Sequence, residues 1–126
     1  MQETSTLATR TGDPIAGRQA DLDVTLTPGE SCARLQLAGE LDLSNVHVLA
    51  DRIGEVEAAG PEVVEIDLRG LSFMDSSGLA ELFAANRRAR ERGHRVVIVK
   101  GHGPIERVLD LARVKDVIDV VEEPAG

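Results

Sequence analysis

Apolar and polar residues alternate along two early stretches of the chain, over residues 22–26 and 33–37. This period of two predicts half-buried β-strands, and the Pro28-Gly29 pair between the stretches is typical of a turn. We therefore expect an antiparallel hairpin. Its apolar positions are Leu22, Val24, Leu26, Ala33, Leu35 and Leu37.

The period then changes to that of a helix. From Val46 to Val56, apolar residues recur every three or four positions, which predicts a helix with one apolar stripe. Either Ser44 or Asn45 could cap this helix, and Gly60-Pro61 is typical of its end. The preceding Gly39-Glu40-Leu41-Asp42 segment is predicted to be a loop.

The second half of the chain alternates compact apolar strands with helical patterns. In order, the predicted elements are a strand over 63–68, a helix from about Ser76 to Arg92 that Gly93 ends, a strand over 95–99, a short helix from Gly103-Pro104, and a strand over 117–121. The whole order is ββαβαβαβ, which predicts an α/β fold with a mixed sheet and helices packed on it.

The two ends of the chain lack this periodicity. Residues 1–20 are rich in Thr, Ala, Gly and Gln, which indicates a flexible N-terminal tail. We expect one folded domain over residues 21–122 and a short C-terminal tail over residues 123–126, since 126 residues suffice for one modest core.

Two polar segments, residues 39–42 and 75–78, each follow a strand and precede a helix. If their strands are parallel neighbours, both segments lie at one edge of the sheet, where such folds carry their functional loops. The second segment, Asp75-Ser76-Ser77-Gly78, sets two hydroxyls where a helix begins. Because the first N–H groups of a helix have no internal partners and its dipole is positive there, this position can hold a phosphate.

Each residue of these segments has more than one possible role. Asp75 could cap the helix or contact a partner, whereas Asp42 has no evident structural need, which favours partner contact. Ser77 either helps to cap the helix or supports a phosphate site. Gly78 either opens access to the neighbouring hydroxyl or permits close helix packing. Phe73 and Met74 favour core and rim packing over ligand contact.

Composition excludes several classes of function. The net charge is −8, and the only aromatic residues are Phe73 and Phe83, so we expect neither nucleic acid nor an anionic membrane as a partner. No apolar run is long enough to span a membrane and no signal pattern begins the chain, which predicts a cytoplasmic protein. The one basic cluster fits the solvated face of a helix and the turn after it; its members are Arg87, Arg88, Arg90, Arg92 and Arg95.

No pattern indicates an enzyme, a cofactor site or a metal site. Ser76 has no His or Lys near it in sequence to act as a base, and the Gly-x-Ser-x-Gly motif is absent. The three histidines are scattered without metal-ligand spacing. The Gly101-His102-Gly103-Pro104 segment lacks the Gly-Lys-Ser/Thr ending of a phosphate-binding loop.

Two motifs together resemble a known family. Gly39-Glu40-Leu41-Asp42 before the first helix and Phe73-Met74-Asp75-Ser76-Ser77-Gly78-Leu79 before the second are similar to those of the anti-sigma-factor antagonists, small bacterial proteins of the STAS domain class. The resemblance covers about residues 22–121 and implies a single STAS-like domain. The family usually has a further helix after the last strand, whereas this sequence ends at Gly126, so we expect less cover on one side of the sheet.

The resemblance also implies a regulatory cycle. The unphosphorylated antagonist binds an anti-sigma factor that is also an ATP-dependent serine/threonine kinase, and so frees a sigma factor. The kinase phosphorylates the serine after the motif aspartate, here Ser76, which ends the binding, and a PP2C-type phosphatase restores it. Asp42, Asp75, Ser77 and Gly78 are the expected partner-binding residues. The alternatives are a STAS accessory subunit of a transporter or sensor complex, and a nucleotide-binding protein.

Overall fold

The structure, a computed structural model, describes the backbone of residues 7–10 and all atoms of residues 21–124. The strands in these residues are β1 (Leu7–Arg10), β2 (Leu22–Thr27), β3 (Cys32–Leu41), β4 (Val63–Met74), β5 (Arg95–Val99) and β6 (Asp119–Val121). The helices are α1 (Val46–Ala59), α2 (Ser76–Arg92), α3 (Pro104–Leu111) and a short 3-10 helix over Val114–Asp116.

The six strands form one mixed sheet whose spatial order is the chain order, β1 to β6. β1, β2 and β3 are antiparallel neighbours, which confirms the predicted hairpin, and β3 to β6 run parallel with helices between them. The predicted α/β order ββαβαβαβ is confirmed for residues 22–121. β1 is an addition to that order.

β1 corrects the prediction of a flexible tail for residues 7–10, which pair with residues 23–26 of β2. The segment has no alternating pattern, but a free strand edge offers backbone N–H and C=O groups to any extended chain. The rest of the predicted tail, up to residue 20, and the last two residues lie outside the described part of the chain.

One face of the sheet carries the apolar core. Alternate residues of β2, β3 and β4 are buried in a single cluster with apolar residues from all three α-helices. On the intervening positions of the same strands, Arg34 pairs with Glu65 and Arg69 pairs with Asp67. The period-two pattern of the sequence therefore reflects a sheet covered by helices on one face and polar on the other.

β3 and β4 are both longer than the sequence pattern predicts. Their parallel pairing continues, with two register shifts, to Leu41 and Met74, so the predicted loop at Gly39-Glu40-Leu41 is wrong. Gly39 has φ of +106°, and a Cβ there would lie 2.3 Å from the Asp21 carbonyl oxygen. The last strand is shorter than predicted, because a 3-10 helix precedes it and it begins only at Asp119.

Two arginines of the predicted basic cluster connect α2 to α1. Arg88 Nε lies 3.2 Å from Glu57 Oε2, and Arg92 Nη1 lies 3.5 Å from Glu57 Oε1. Because only 6% of the Glu57 side chain is exposed, these pairs join α2 to α1 at a shielded carboxylate. Arg88 thus departs from the expected solvated face, whereas Arg87 and Arg90 are exposed.

The start of α2 packs closely on the ends of β3 and β4. Gly78 is buried, and a Cβ there would lie 2.7 Å from Met74 Cγ and 2.9 Å from Leu41 Cδ2. A hydrogen atom in place of a side chain therefore lets the first turn of α2 reach the sheet. α2 begins at Ser76 and ends at Arg92, with Gly93 as its C-cap, as the sequence predicts.

We predict that Gly78→Ala destabilises the fold by about 1–3 kcal/mol, since the added methyl group overpacks the junction between α2 and the sheet. The matched control is Gly54→Ala, in the interior of α1, where a Cβ meets nothing within 4 Å. Because Gly54 is exposed in the interior of a helix, its replacement by Ala should raise the free energy of unfolding by about 0.5–1 kcal/mol. Urea unfolding measures the free energy of unfolding of both variants. Equal changes in the two variants would contradict the packing role of Gly78.

Candidate functional site

The two motif segments meet at one edge of the sheet. β3 and β4 are parallel neighbours, and the Asp75 backbone N–H donates to the Leu41 carbonyl oxygen at 3.2 Å. The Leu43 backbone N–H donates to Asp75 Oδ2 at 3.3 Å, which joins the β3–α1 loop to the start of α2. The expectation that both segments share one edge is confirmed.

Asp75 is the N-cap of α2, as the sequence allowed. Its Oδ1 accepts the Ser77 N–H at 2.9 Å, the Gly78 N–H at 3.3 Å and the Ser77 hydroxyl. Burial alone raises the pKa of Asp75, but the hydrogen bonds from the Ser77 hydroxyl and the backbone N–H groups outweigh burial and lower it. The carboxylate therefore stays charged at the positive end of the helix dipole.

Asp42 also has a structural role, which corrects the expectation that it has none. Its Oδ1 accepts the Ser44 N–H at 2.9 Å and the Ser44 hydroxyl at 2.6 Å, and its carbonyl oxygen accepts the Val46 N–H at 2.9 Å. Asn45 occupies the N-cap position of α1, but its side chain does not cap the helix. Instead its amide donates to the Glu40 carbonyl oxygen at 2.9 Å, which ties the loop to β3.

The two serines of the motif lie in different environments. Ser76 is exposed at the first position of α2, and its hydroxyl makes no hydrogen bond with any residue that the structure describes. Ser77 is half-buried and donates its hydroxyl to Asp75. Because Asp75 also occupies the N–H groups of Ser77 and Gly78, these donors are not free for a phosphate, contrary to the sequence prediction. A group attached to Ser76 would extend into solvent.

Gly78 lies beneath this surface. Its burial and its close approach to Met74 and Leu41 favour the packing role over access to a neighbouring hydroxyl. A buried residue without a side chain has little surface to offer a partner, so the expectation of a direct contact at Gly78 is not supported by its position. Of the expected partner-binding residues, Asp42, Asp75 and Ser77 remain accessible in part.

Two apolar side chains on this edge are exposed. Leu43, in the loop after β3, is 76% exposed, and Phe73, near the end of β4, is 47% exposed, whereas Met74 is buried. Phe73 thus belongs to the rim rather than the core. Leu43 was not among the predicted site residues, although an apolar residue in a polar loop was the available signal.

The described residues contain no group of three or more His, Cys, Asp or Glu side chains that could hold a metal ion. No helix within them combines the length and the apolar character needed to cross a membrane.

We predict that Asp75→Ala lowers the free energy of unfolding by about 1 kcal/mol at pH 7, the usual cost of losing an N-cap. Because the folded-state pKa of Asp75 is depressed, its contribution is complete above the unfolded value near 3.8 and is lost as pH falls through the folded pKa. The difference from the native chain should therefore narrow as the pH falls below about 4. Thermal unfolding between pH 7 and pH 3 measures it.

The control for this pH series is Asp51→Ala, which removes an exposed carboxylate from the surface of α1. We expect this variant to lower the free energy of unfolding at pH 7 less than Asp75→Ala does, because Asp51 caps no helix. If the difference in free energy of unfolding between Asp75→Ala and the native chain stays constant down to pH 3, the charged carboxylate does not have this capping role.

Comparison with known proteins identifies the family. Residues 24–122 match the family model described as "Mlab, STAS domain". The chain is 30% identical over 101 residues to the anti-sigma-F factor antagonist RsfA of Mycobacterium tuberculosis, covering 79% of each chain. It is 24% identical over 106 residues to the anti-sigma-B factor antagonist of Bacillus subtilis, covering 84% of this chain and 96% of the relative.

A solved structure agrees with these relatives. The crystal structure of an anti-sigma factor antagonist from Mycobacterium paratuberculosis superposes with a TM-score of 0.70 at 25% identity, covering 81% of this chain and 86% of that one. The chain thus shares the fold of this antagonist over most of both chains. The chain belongs to the STAS domain family of anti-sigma factor antagonists.

Proposed function

We propose that this protein is a phosphorylation-controlled antagonist of an anti-sigma factor. In its unphosphorylated form it binds the anti-sigma factor, which then releases a sigma factor, and phosphate on Ser76 ends the binding. The observation that carries this proposal is the exposure of Ser76 at the first position of α2, beside a capping carboxylate that engages Ser77. The antagonist names of the relatives support the choice of partner.

The fold can accept a phosphate on Ser76 without rearrangement. The hydroxyl is exposed and holds no described residue in place, so a phosphate there stays hydrated. The positive end of the α2 dipole partly offsets the added negative charge. The phosphate is therefore expected to change the surface of the protein and not its stability.

A phosphate on Ser76 should, by contrast, weaken the binding of a partner that covers this surface. The phosphate adds about −1.5 to −2 charges at pH 7 next to Asp75, whose carboxylate is already charged. Burying it would require removal of its hydration shell as well as space for its oxygens. A cost of about 3–4 kcal/mol would weaken binding roughly several hundredfold, enough for an effective switch.

We further propose that the anti-sigma factor is itself the serine/threonine kinase, that a PP2C-type phosphatase reverses the reaction, and that the cycle runs in the cytoplasm. In phosphoryl transfer the kinase supplies the base, the metal ion and the groups that hold the phosphates. The substrate serine needs only to be reachable, and Ser76 is exposed. Asp42, Asp75 and Ser77 remain proposed partner contacts.

The test uses the panel of anti-sigma factor kinases encoded in the source genome, each purified and incubated with this protein and ATP. We expect intact-mass spectrometry to find a single phosphate, mapped to Ser76, and the modified protein to lose affinity several hundredfold. Ser76→Ala should keep native affinity and accept no phosphate. Ser76→Asp should bind more weakly than the native chain, although one carboxylate imitates a phosphate only in part.

Ser77→Ala is the matched control, because it removes the neighbouring hydroxyl and leaves Ser76 in place. We expect its single phosphate to map to Ser76, as in the native chain, because the acceptor hydroxyl is retained. Phosphate on Ser77, or equal binding by Ser76→Ala, Ser76→Asp and the phosphorylated protein, would contradict the proposed switch. Binding to transporter subunits alone would favour the accessory-subunit alternative.

A further inference from the structure

The edge that carries Ser76 also carries two of the large apolar side chains that are exposed in the described part of the chain. Leu43 is 76% exposed and Phe73 is 47% exposed. Isolated apolar residues are common on protein surfaces. Here, however, both flank one residue, because Phe73 precedes Asp75 by two positions and the Leu43 N–H is bonded to the Asp75 carboxylate. We call Leu43 and Phe73 the apolar pair.

The backbone holds the apolar pair in place. Leu43 lies in a turn that the Asp42 carboxylate closes by accepting hydrogen bonds from Ser44. The backbone N–H of Leu43 itself donates to the Asp75 carboxylate. Phe73 lies in β4, in register with Glu40 of β3, and the next residue of its strand is buried. A side chain on a fixed backbone loses less conformational entropy when it is bound, so such residues are effective contacts.

The carboxylates on the same edge are less suited to anchor a partner. Asp75 accepts four hydrogen bonds within the chain, and Asp42 accepts two from Ser44 at one oxygen. The hydrogen-bonding capacity of Asp75 is therefore largely used inside the protein, and one oxygen of Asp42 is occupied in the same way. Interfaces usually gain most of their binding energy from a few large side chains, aromatic ones above all, that become dehydrated. On this edge the apolar pair meets that description.

Phe73 also stands out in the composition. The chain has only two aromatic residues, and the other, Phe83, packs against the core. An aromatic residue left half-exposed at the end of a central strand has no evident packing need for its exposed surface.

We propose that Leu43 and Phe73 are the apolar anchors of the partner-binding surface, and that the anti-sigma factor receives them in an apolar depression on its own surface. This inference rests on the proposed function and adds the chemistry of the contact. It also explains why phosphate on Ser76 is effective, since a dianion beside two apolar anchors keeps water in a contact that must become dry.

The matched variants are Leu43→Ala, Phe73→Ala and Leu111→Ala. Leu111 is 79% exposed, as much as Leu43, but ends α3. Calorimetry uses whichever anti-sigma factor of the source genome binds the native chain. We expect each change in the apolar pair to lower affinity about tenfold or more and the double variant about a hundredfold, while Leu111→Ala binds within about twofold of native.

A second readout separates apolar from electrostatic anchoring. If the apolar pair dominates, the affinity of the unphosphorylated chain should change less than about threefold between roughly 0.05 M and 0.5 M salt, because apolar contacts are not screened. A kinase assay should give a raised KM for the two variants and an unchanged kcat, since Ser76 itself is intact.

The outcomes distinguish this inference from the proposed function. If the native chain binds and phosphate on Ser76 releases it, but both variants bind like Leu111→Ala, the inference is wrong and the proposed function stands. If the native chain binds no anti-sigma factor of the panel, both fail. Loss of self-association in the variants, measured by sedimentation, would show that the pair contacts a second copy and would overturn the inference. Should Phe73→Ala prove unstable on heating, Leu43→Ala alone decides.

Discussion

The Asp75 carboxylate accepts four hydrogen bonds, and the geometry of the whole functional edge depends on them. One oxygen caps α2, and the other holds the Leu43 N–H of the preceding loop. By drawing the Ser77 hydroxyl inward, the cap fixes the first turn of α2, where Ser76 is exposed. A single side chain thus starts a helix, joins two loops and gives two adjacent serines different environments.

The pairing of β3 with β4 and the packing of α2 on them hold this edge in place. The parallel pairing of β3 and β4 continues to their last residues, so the segments that follow the two strands begin side by side at one edge of the sheet. Gly78 lets the first turn of α2 approach Met74 and Leu41, which a Cβ would prevent. The glycine of the motif therefore serves packing, and the surface residues above it are placed both by the core and by their hydrogen bonds to Asp75.

The sequence predicted those elements whose physical cause is periodic or local. The bounds of α2 were correct because an apolar stripe, a capping aspartate and a terminal glycine all agree. It failed where pairing with a neighbour decides the structure: β1 has no pattern of its own, and Gly39 to Leu41 have a loop-like composition that pairing with β4 overrides. The turn at Asp42 is local to its own segment, because both of its side-chain hydrogen bonds come from Ser44. The position of Leu43 depends on how two loops meet, which no single segment of sequence contains.

The net charge of the protein limits how the proposed phosphorylation can act. The chain already carries a net charge of −8, so a phosphate of about −2 neither reverses the long-range field nor alters it greatly. At physiological salt such a charge is screened beyond about 8 Å. An effective phosphate must therefore lie inside the contact and not merely near it. Ser76 follows Asp75 on an edge of the sheet that also exposes Leu43 and Phe73, and there a local change of charge and hydration can decide whether two surfaces bind.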